Sequence, residues 1–384
     1  MKKTFTKILS YVLVAVIAAG TTAVCFLSSQ LNGRSKLEEV ESLLRQCFIG
    51  EVDQEKLEDA AASAMVQALG DRWSYYMTPE QYQSYQQTMS NTYVGIGISV
   101  QAQQDPKSFE IVSVIEGGPA EEAGILAGDI IVAIDGTDVT AMELSEVSSM
   151  IKGDENTNVE LTVLRGEERK SFTVTRKTFQ TPVATYKMLE GNIGLITIEN
   201  FDQRCASETI AAIDALTEQG VEALIFDVRN NPGGYKTEMV KVLDYLLPEG
   251  VLFRSVDYRG NESVDRSDAA HVDIPMAVIV NLSSYSAAEF FAAALDEYDA
   301  AIVVGEKTFG KGYFQNTFPL SDGSAVNLSV GKYTTPNGNS LAGVGLTPEI
   351  EVPVDEATAA KIYAGTLDPM EDPQILAAIQ ALTK

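Results

Sequence analysis

With 384 residues, 45% of them apolar and 21% charged, the chain has the composition of a folded multi-domain protein, which excludes disorder as its default state. A formal net charge of -26 argues against binding a phosphate backbone through counterion release, so nucleic acid is not an expected partner. Three cysteines and one histidine, His271, exclude a disulfide framework and argue against a metal site, and no cofactor is expected.

Ile8 to Leu27 is a run of twenty residues without a charge, preceded by Lys2, Lys3 and Lys7. It is long enough to span a bilayer and reads as a membrane anchor within residues 1–36, with the bulk of the chain outside the cytoplasm. Thr21-Thr22-Ala23 keeps a cleaved signal peptide as the alternative, with a secreted or periplasmic product. Cys25 lacks the apolar residue three positions earlier that lipidation would ask for.

Residues 37–91 form the next region, in which Leu37, Val40, Leu43 and Leu44, then Leu57, Ala61, Met65 and Leu69, recur at helical spacing. Trp73, Tyr75 and Tyr76 follow and read as a packing plug. From residue 92 to 179 the period changes to two: Gly95 to Ile98, Phe109 to Val114, Ile130 to Ile134, Val159 to Leu164 and Ser171 to Thr175 are predicted strands, with a helix over Ala141 to Ile151. Residues 180–354 alternate strand and helix, which predicts an α/β core with a largely parallel sheet. Its strands are Ile193 to Ile198, Ala223 to Val228, Ala277 to Val280 and Ala301 to Val304; its helices are Ser207 to Glu218, one from Lys236, and Ala287 to Leu295. A tail, 355–384, carries helical patterns over Asp355 to Tyr363 and Pro373 to Leu382.

The chemistry concentrates on Ser286 and Lys311. Ser286 lies between a predicted strand and a predicted helix, where the helix N-terminus and the Ala287 N–H could stabilise a developing oxyanion. With one histidine in the chain, a lysine kept neutral by burial is the alternative base for a serine nucleophile. Gly305 to Lys311 matches a phosphate loop until Gly312 stands where Ser or Thr would ligate magnesium, and a strand, Tyr313 to Phe318, follows instead of a helix. Ser149-Met-Ile-Lys152 has the spacing of penicillin-interacting enzymes but no companion motif, so Ser149 reads as a polar helix residue. Gly233 and Gly234 close Asp227-Val-Arg-Asn-Asn-Pro-Gly-Gly234, where glycines permit inward-pointing N–H groups, a candidate second part of the oxyanion hole. Cys205 reads as a structural thiol.

Taken in order, Asp227 to Gly234, Asn281 to Glu289 and Gly305 to Gly312 with Gln315 resemble the C-terminal processing peptidase family, also called tail-specific or carboxyl-terminal proteases. The resemblance runs from about Leu37 to Val354 and takes in Leu69 to Tyr75, Tyr333 to Gly338 and Gly345 to Ile350. It implies a multi-domain α/β protein: a helical N-terminal segment, a PDZ domain over 92–179, and a protease core of the ClpP/crotonase-like type over 180–354. It also implies a serine endopeptidase with Ser286 as nucleophile, Lys311 as base and Gln315 orienting the lysine. In the PDZ domain, Gly95, Ile96, Gly97 and Ile98 would form the loop that holds a peptide's terminal carboxylate while the peptide adds as a strand. The implied partners are protein or peptide substrates with free C-termini and, through the N-terminal segment, the membrane; a homo-oligomer or an activating partner protein stays open. A non-catalytic PDZ scaffold is the rival reading, and intact Ser286, Lys311 and Gln315 count against it. Tyr285, Ala288 and Glu349 depart from the family's usual residues, and Tyr285 is large enough to reshape the rim of the site.

Overall fold

A computed structural model describes residues 35–104, 107–115 and 117–383. The apolar run Ile8 to Leu27 lies outside the described residues. Among those described, no helix is long and apolar enough to cross a membrane. The chain divides into two units, through Leu69 and from Gly70 onward.

The first unit contains helices α1 (Lys36–Cys47) and α2 (Gln54–Gln67). Ser35 and Glu38 cap α1 reciprocally, and Asp53 caps α2 through the Lys56 N–H, so each start is written in the local sequence.

The second unit opens with β1 (Tyr75–Met77) and α3 (Pro79–Met89), where Thr78 and Gln81 form a second capping box ahead of Pro79. The helical spacing that ends at Leu69 thus gives way to a strand before helix resumes at Pro79. Then β2 (Thr92–Gly95), β3 (Ile98–Gln104), β4 (Lys107–Val114), the single turn α4 (Pro119–Glu122), β5 (Ile130–Ile134), β6 (Thr137–Asp138), α5 (Leu144–Ile151), β7 (Asn158–Arg165), β8 (Glu168–Thr175) and β9 (Lys177–Gln180) make the middle domain. Its sheet runs β3-β4-β5-β7-β8, so β3 is an edge strand, and its core gathers Phe109, Ile111, Ile131, Val147, Leu161 and Val163. The inward residues of β7, Val159, Leu161 and Val163, alternate as a half-buried strand requires.

The core follows: β10 (Ala184–Leu189), β11 (Ile193–Ile198), α6 (Cys205–Glu218), β12 (Ala223–Asp227), α7 (Lys236–Leu246), β13 (Gly250–Asp257), β14 (Glu262–Ser267), β15 (Met276–Val280), α8 (Ala287–Glu297), β16 (Ala301–Gly305), β17 (Tyr313–Pro319), β18 (Ala325–Thr334), β19 (Ile350–Glu351), α9 (Glu356–Tyr363) and α10 (Pro373–Leu382). Its main sheet has the order β10-β11-β12-β15-β16-β19, parallel from β11 onward. Strands such as β12 are apolar on both sides because both faces are covered. Leu224 and Phe226 join the cluster under α6, α7 and α8, whereas Ala223 and Ile225 join the one that receives Ile375 and Ala378 of α10. A second, antiparallel sheet, β1-β18-β13-β14 with β17 on β18, had no counterpart in the sequence reading beyond β17. Helix α5 begins at Leu144 rather than Ala141, after Glu143 and Glu146 pair across its first turn.

Three loops leave the carboxyl ends of the adjacent parallel strands β12, β15 and β16, the edge where open α/β sheets place their ligands. They carry Gly233 and Gly234, Ser286, and Lys311. The first is pinned from outside the sheet. Arg229, with 4% of its side chain exposed, pairs with Asp227 and with Asp372, itself 3% exposed, and also donates to Gln374 Oε1 at 2.9 Å. Asp372 simultaneously caps α10 through the Gln374 N–H at 2.9 Å. Removing one partner of a buried pair strands the other charge. Asp372→Ala is therefore expected to lower unfolding free energy by about 3 kcal/mol or more, read from urea denaturation; a loss below about 1 kcal/mol would show that the pair does not hold α10.

Candidate active site

Ser286 has φ 60° and ψ -126°, a backbone state that L-residues rarely adopt. The turn imposes it. Ser284 Oγ donates to the Val228 carbonyl at 2.7 Å and accepts the Asn281 N–H, while the Tyr285 N–H donates to the Asn231 carbonyl. Asn281 in turn exchanges hydrogen bonds with Asn230, tying the 281–286 turn to the 229–234 loop. Ser284 is thus a buried structural hydroxyl and Ser283 is exposed, which leaves Ser286 as the serine of this turn that opens onto a cavity.

Glu289, one turn into α8 and fully buried, joins the two loops. Its carboxylate accepts the Ser286 N–H at 3.1 Å, the Lys311 N–H at 2.9 Å, the Gly310 N–H at 2.6 Å and the Thr308 hydroxyl at 2.5 Å. Burial raises its pKa, and these four donors work against that rise. Thr308 also accepts the Leu346 N–H at 2.7 Å, which brings the Gly345 to Ile350 string into the same assembly. Gly310 and Gly345 have φ of 88° and 71°, and a Cβ on either would strike the facing backbone. At the far end of α8, Glu297 accepts from the Thr335 hydroxyl, the Asn337 N–H and the Asn339 amide, anchoring the Tyr333 to Gly338 string.

Lys311 and Ser286 are brought to one site, but their side chains have different neighbours. Ser286 Oγ accepts from the Tyr333 hydroxyl at 3.2 Å. Lys311 Nζ lies 4.5 Å from the centre of the Trp73 ring and 5.8 Å from that of Tyr285. Trp73, Tyr285 and Phe309 pack on one another, and the Arg72 guanidinium covers the Trp73 and Phe309 rings. Burial pushes the lysine pKa down to about 8, against Glu289 and Asp71, which favour the charged form. Asp71 is held by the Ser74 hydroxyl and the Trp73 N–H. Trp73 packs as the plug its aromatic cluster predicts and also borders Lys311, an adjacency that spans more than two hundred positions and leaves no local signal. Tyr285 walls the lysine rather than the rim of the cavity.

Gln315 lines the cavity, and its amide donates to Ser329 Oγ and to the Tyr313 carbonyl, each at 3.1 Å, rather than to the lysine amine. The β17–β18 register, shifted at Phe314/Gln315, sets Gln315 opposite Ser329. Gly233 has φ 90°, and a Cβ there would fall 2.7 Å from Ser286 Cβ and 2.9 Å from Ala287 N. Its N–H donates to Asn231 Oδ1 at 2.8 Å. Gly234 and Ala287 both line the cavity beside Ser286.

That cavity has a volume near 940 Å³. Met239, Phe253, Phe290, Phe314 and Tyr333 supply apolar walls, and Tyr82, Tyr85 and Met89 of α3 face it from the N-terminal side. His271 is exposed, and its ring faces the Ala269 carbonyl. Ser149 is an exposed residue of α5 bonded to the Ser145 carbonyl. Cys205 is buried, and burial pushes its thiol to about 12, too high for a nucleophile. In the middle domain Gly95 ends β2, Ile96 is buried with its carbonyl accepting the Ala120 N–H, Gly97 has φ 78° with its carbonyl accepting the Ile115 N–H, and Ile98 begins edge strand β3.

Residues 192–352 match the model of peptidase family S41, and 110–165 match a PDZ domain. The chain is 33% identical over 342 residues to the Probable CtpA-like serine protease of Staphylococcus aureus strain COL, covering 88% of this chain and 68% of that one. It is 32% identical to the protein of the same name from Staphylococcus haemolyticus strain JCSC1435, over 91% of this chain and 73% of that one. Among solved structures it is similar to a photosystem II D1 C-terminal processing protease, with 27% identity, a TM-score of 0.50, and 90% and 94% of the two chains covered. A candidate S41 protease from Bacteroides fragilis superposes with a TM-score of 0.61 at 17% identity over 90% and 96%, a likeness of fold.

The Glu289 assembly makes a direct prediction. Glu289→Gln replaces one acceptor oxygen by an amide donor, leaving buried N–H groups facing another donor at about 1–3 kcal/mol each. The variant is expected to lose about a hundredfold or more in turnover of an unstructured protein and to melt several degrees lower; wild-type turnover would show that the carboxylate does not hold the two loops.

Proposed function

Because the chain belongs to peptidase family S41, in its C-terminal processing branch, and is a serine protease carrying a PDZ domain, we propose that it cleaves proteins by Ser286–Lys311 catalysis and selects them by their C-terminal tails. The observation that carries the reading is the single buried carboxylate that receives the backbone N–H groups of both Ser286 and Lys311. A fold that spends its one fully buried α8 carboxylate on registering two loops has a reason to hold those residues together.

In the proposed reaction Lys311 takes the Ser286 Oγ proton as Oγ bonds to the scissile carbonyl carbon. The oxyanion turns to the N–H groups of Ala287, at the α8 N-terminus, and Gly234. As the C–N bond breaks, Lys311 returns the proton to the departing amine, and water then cleaves the acyl-enzyme by the reverse sequence. Gln315 acts through Ser329 to fix the wall beside Lys311. The aromatic cavity next to Ser286 suits apolar substrate side chains. Edge strand β3 leaves one side unpaired and borders α5, an arrangement that suits strand addition by a peptide whose carboxylate meets the Gly95 to Ile98 loop. We further propose that the run Ile8 to Leu27 holds this catalytic part at the outer face of a membrane.

Sequencing the products of an unstructured protein and of its C-terminally blocked twin tests tail selection: cutting should be confined to the free form, and equal cutting of both would remove it. Ser286→Ala and Lys311→Ala should each abolish cleavage, and the double variant should be no worse than either. A base must be neutral to accept a proton, so kcat/KM should rise with pH through an apparent pKa near the lysine's value of about 8. At pH 7 only about a tenth of the lysine is then neutral. A profile already flat above pH 6 would exclude Lys311 as the base. With Ser286→Ala in the full chain, a peptide ending in a free carboxylate should bind more tightly than its amide; equal affinity would sink carboxylate recognition by the Gly95 to Ile98 loop.

A further inference from the structure

Tyr333 stands outside the motifs that carry the proposed dyad, yet its hydroxyl meets the reacting oxygen. The residue is 5% exposed, on β18, and its ring packs edge-on against Phe290 at 4.4 Å, against Phe253 at 5.5 Å and parallel to Phe314 at 6.2 Å. These three rings fix where the phenol points. The hydroxyl donates to Ser286 Oγ at 3.2 Å.

We propose that Tyr333 is a catalytic residue of this protein, a fixed hydrogen-bond donor that stabilises negative charge on Ser286 Oγ. The proposal rests on Ser286 being the nucleophile. A serine oxygen has two acceptor positions and one proton. With Tyr333 on one lone pair, the other is free to attack, and the serine proton is left for the lysine. The donor is needed twice: when the proton leaves Oγ for Lys311, and when the Oγ–acyl bond breaks in hydrolysis of the acyl-enzyme and Oγ departs with the electron pair. In neither step does Tyr333 transfer its own proton. Burial raises the phenol pKa, with the Glu289 carboxylate acting the same way and the bond to Ser286 opposing, so the group stays protonated and cannot serve as the base. The charged and titratable groups around the site are Glu289 behind Ser286, Lys311 and Asp71 on the other loops, Tyr285 beside the lysine, and, along the cavity, Lys236 over the Phe253 ring with Asp257, Glu262, Tyr82, Tyr85 and Tyr235.

Tyr333→Phe keeps the ring and its three aromatic contacts, and so keeps the cavity floor. It is expected to lower kcat about tenfold or more while changing KM for an apolar peptide less than about twofold, with an unaltered melting temperature. Labelling of Ser286 by a fluorophosphonate, followed by mass spectrometry, should slow in parallel. 3-Fluorotyrosine at position 333, a stronger donor of nearly the same shape, should raise kcat, and supplies the test should the phenylalanine variant fail to fold. Wild-type kcat in Tyr333→Phe, or in the fluorotyrosine protein, overturns the Tyr333 assignment while Ser286 labelling stands. Cleavage surviving Ser286→Ala, with no label on Ser286 in the wild type, overturns the dyad reading and this one with it.

Discussion

One buried carboxylate sets the geometry on which the rest depends. Glu289 is on the first turn of α8, so its position is fixed by the strand-turn-helix unit that presents Ser286, while its acceptors reach across to the loop of Lys311. Backbone N–H groups near a helix start favour negative charge, which offsets part of the cost of burying it. Each of its bonds has a second function. The bond to Ser286 N helps hold a positive φ, that to Gly310 N fixes a glycine turn, and that to Thr308 links a residue whose hydroxyl also receives Leu346 N. Three separate segments of chain thereby share one registration point. A shift in any of them is felt at Ser286.

Around the lysine the fold sets opposing forces against one another, and burial outweighs the rest. Burial among Trp73, Tyr285 and Phe309 disfavours the ammonium, whereas the Trp73 face, Asp71 and Glu289 favour it. Arg72, stacked on the same aromatic rings, adds a like charge nearby. The outcome, a pKa of about 8, is a lysine able to take and return a proton near neutrality, which a fully desolvated or a fully paired lysine could not do. Tyr285 finds its physical meaning here. Its bulk, unusual before Ser286, is accommodated because it extends the shield over the amine rather than intruding on the cavity.

Much of this was legible in the chain, for identifiable reasons. The parallel strands β11, β12, β15 and β16 are short apolar runs between helices with glycine or polar stops, and their boundaries came within a residue or two. Ser286 and Lys311 announced themselves because each ends such a unit and histidine is scarce. The second sheet escaped because β13 and β14 alternate weakly: Arg254, Asp257, Asp265 and Arg266 interrupt their apolar positions, and β18 pairs with β1 some 250 positions away. The site contacts of Trp73 and Tyr333, both within strings of the family resemblance, escaped because they too are long-range. Their partners at the site, Lys311 and Ser286, are set by tertiary packing, and no spacing rule in one sequence connects them.

The attachment of the PDZ domain follows from the same economy of contacts. Ser90 borders the cavity, Asn91 is buried with φ 45°, and Thr92 begins the β2–β9 ribbon that leads into the domain. Asn91 exchanges amide bonds with Asn200 and donates to Asp202, and Arg204 joins Asp202 to the Thr181 carbonyl just after β9. Both strands of the ribbon are therefore clamped to one polar cluster on the core, at the base rather than along their length. The clamp fixes the ribbon's root beside the α3 wall of the cavity and leaves its four residue pairs as the connection to the PDZ sheet. Strand Ile98–Gln104 follows after only Ile96 and Gly97, so a peptide added to that edge lies a short covalent path from the wall that faces Ser286. Under the proposed function, that path is a direct covalent route by which occupancy of the PDZ edge can act on the cavity.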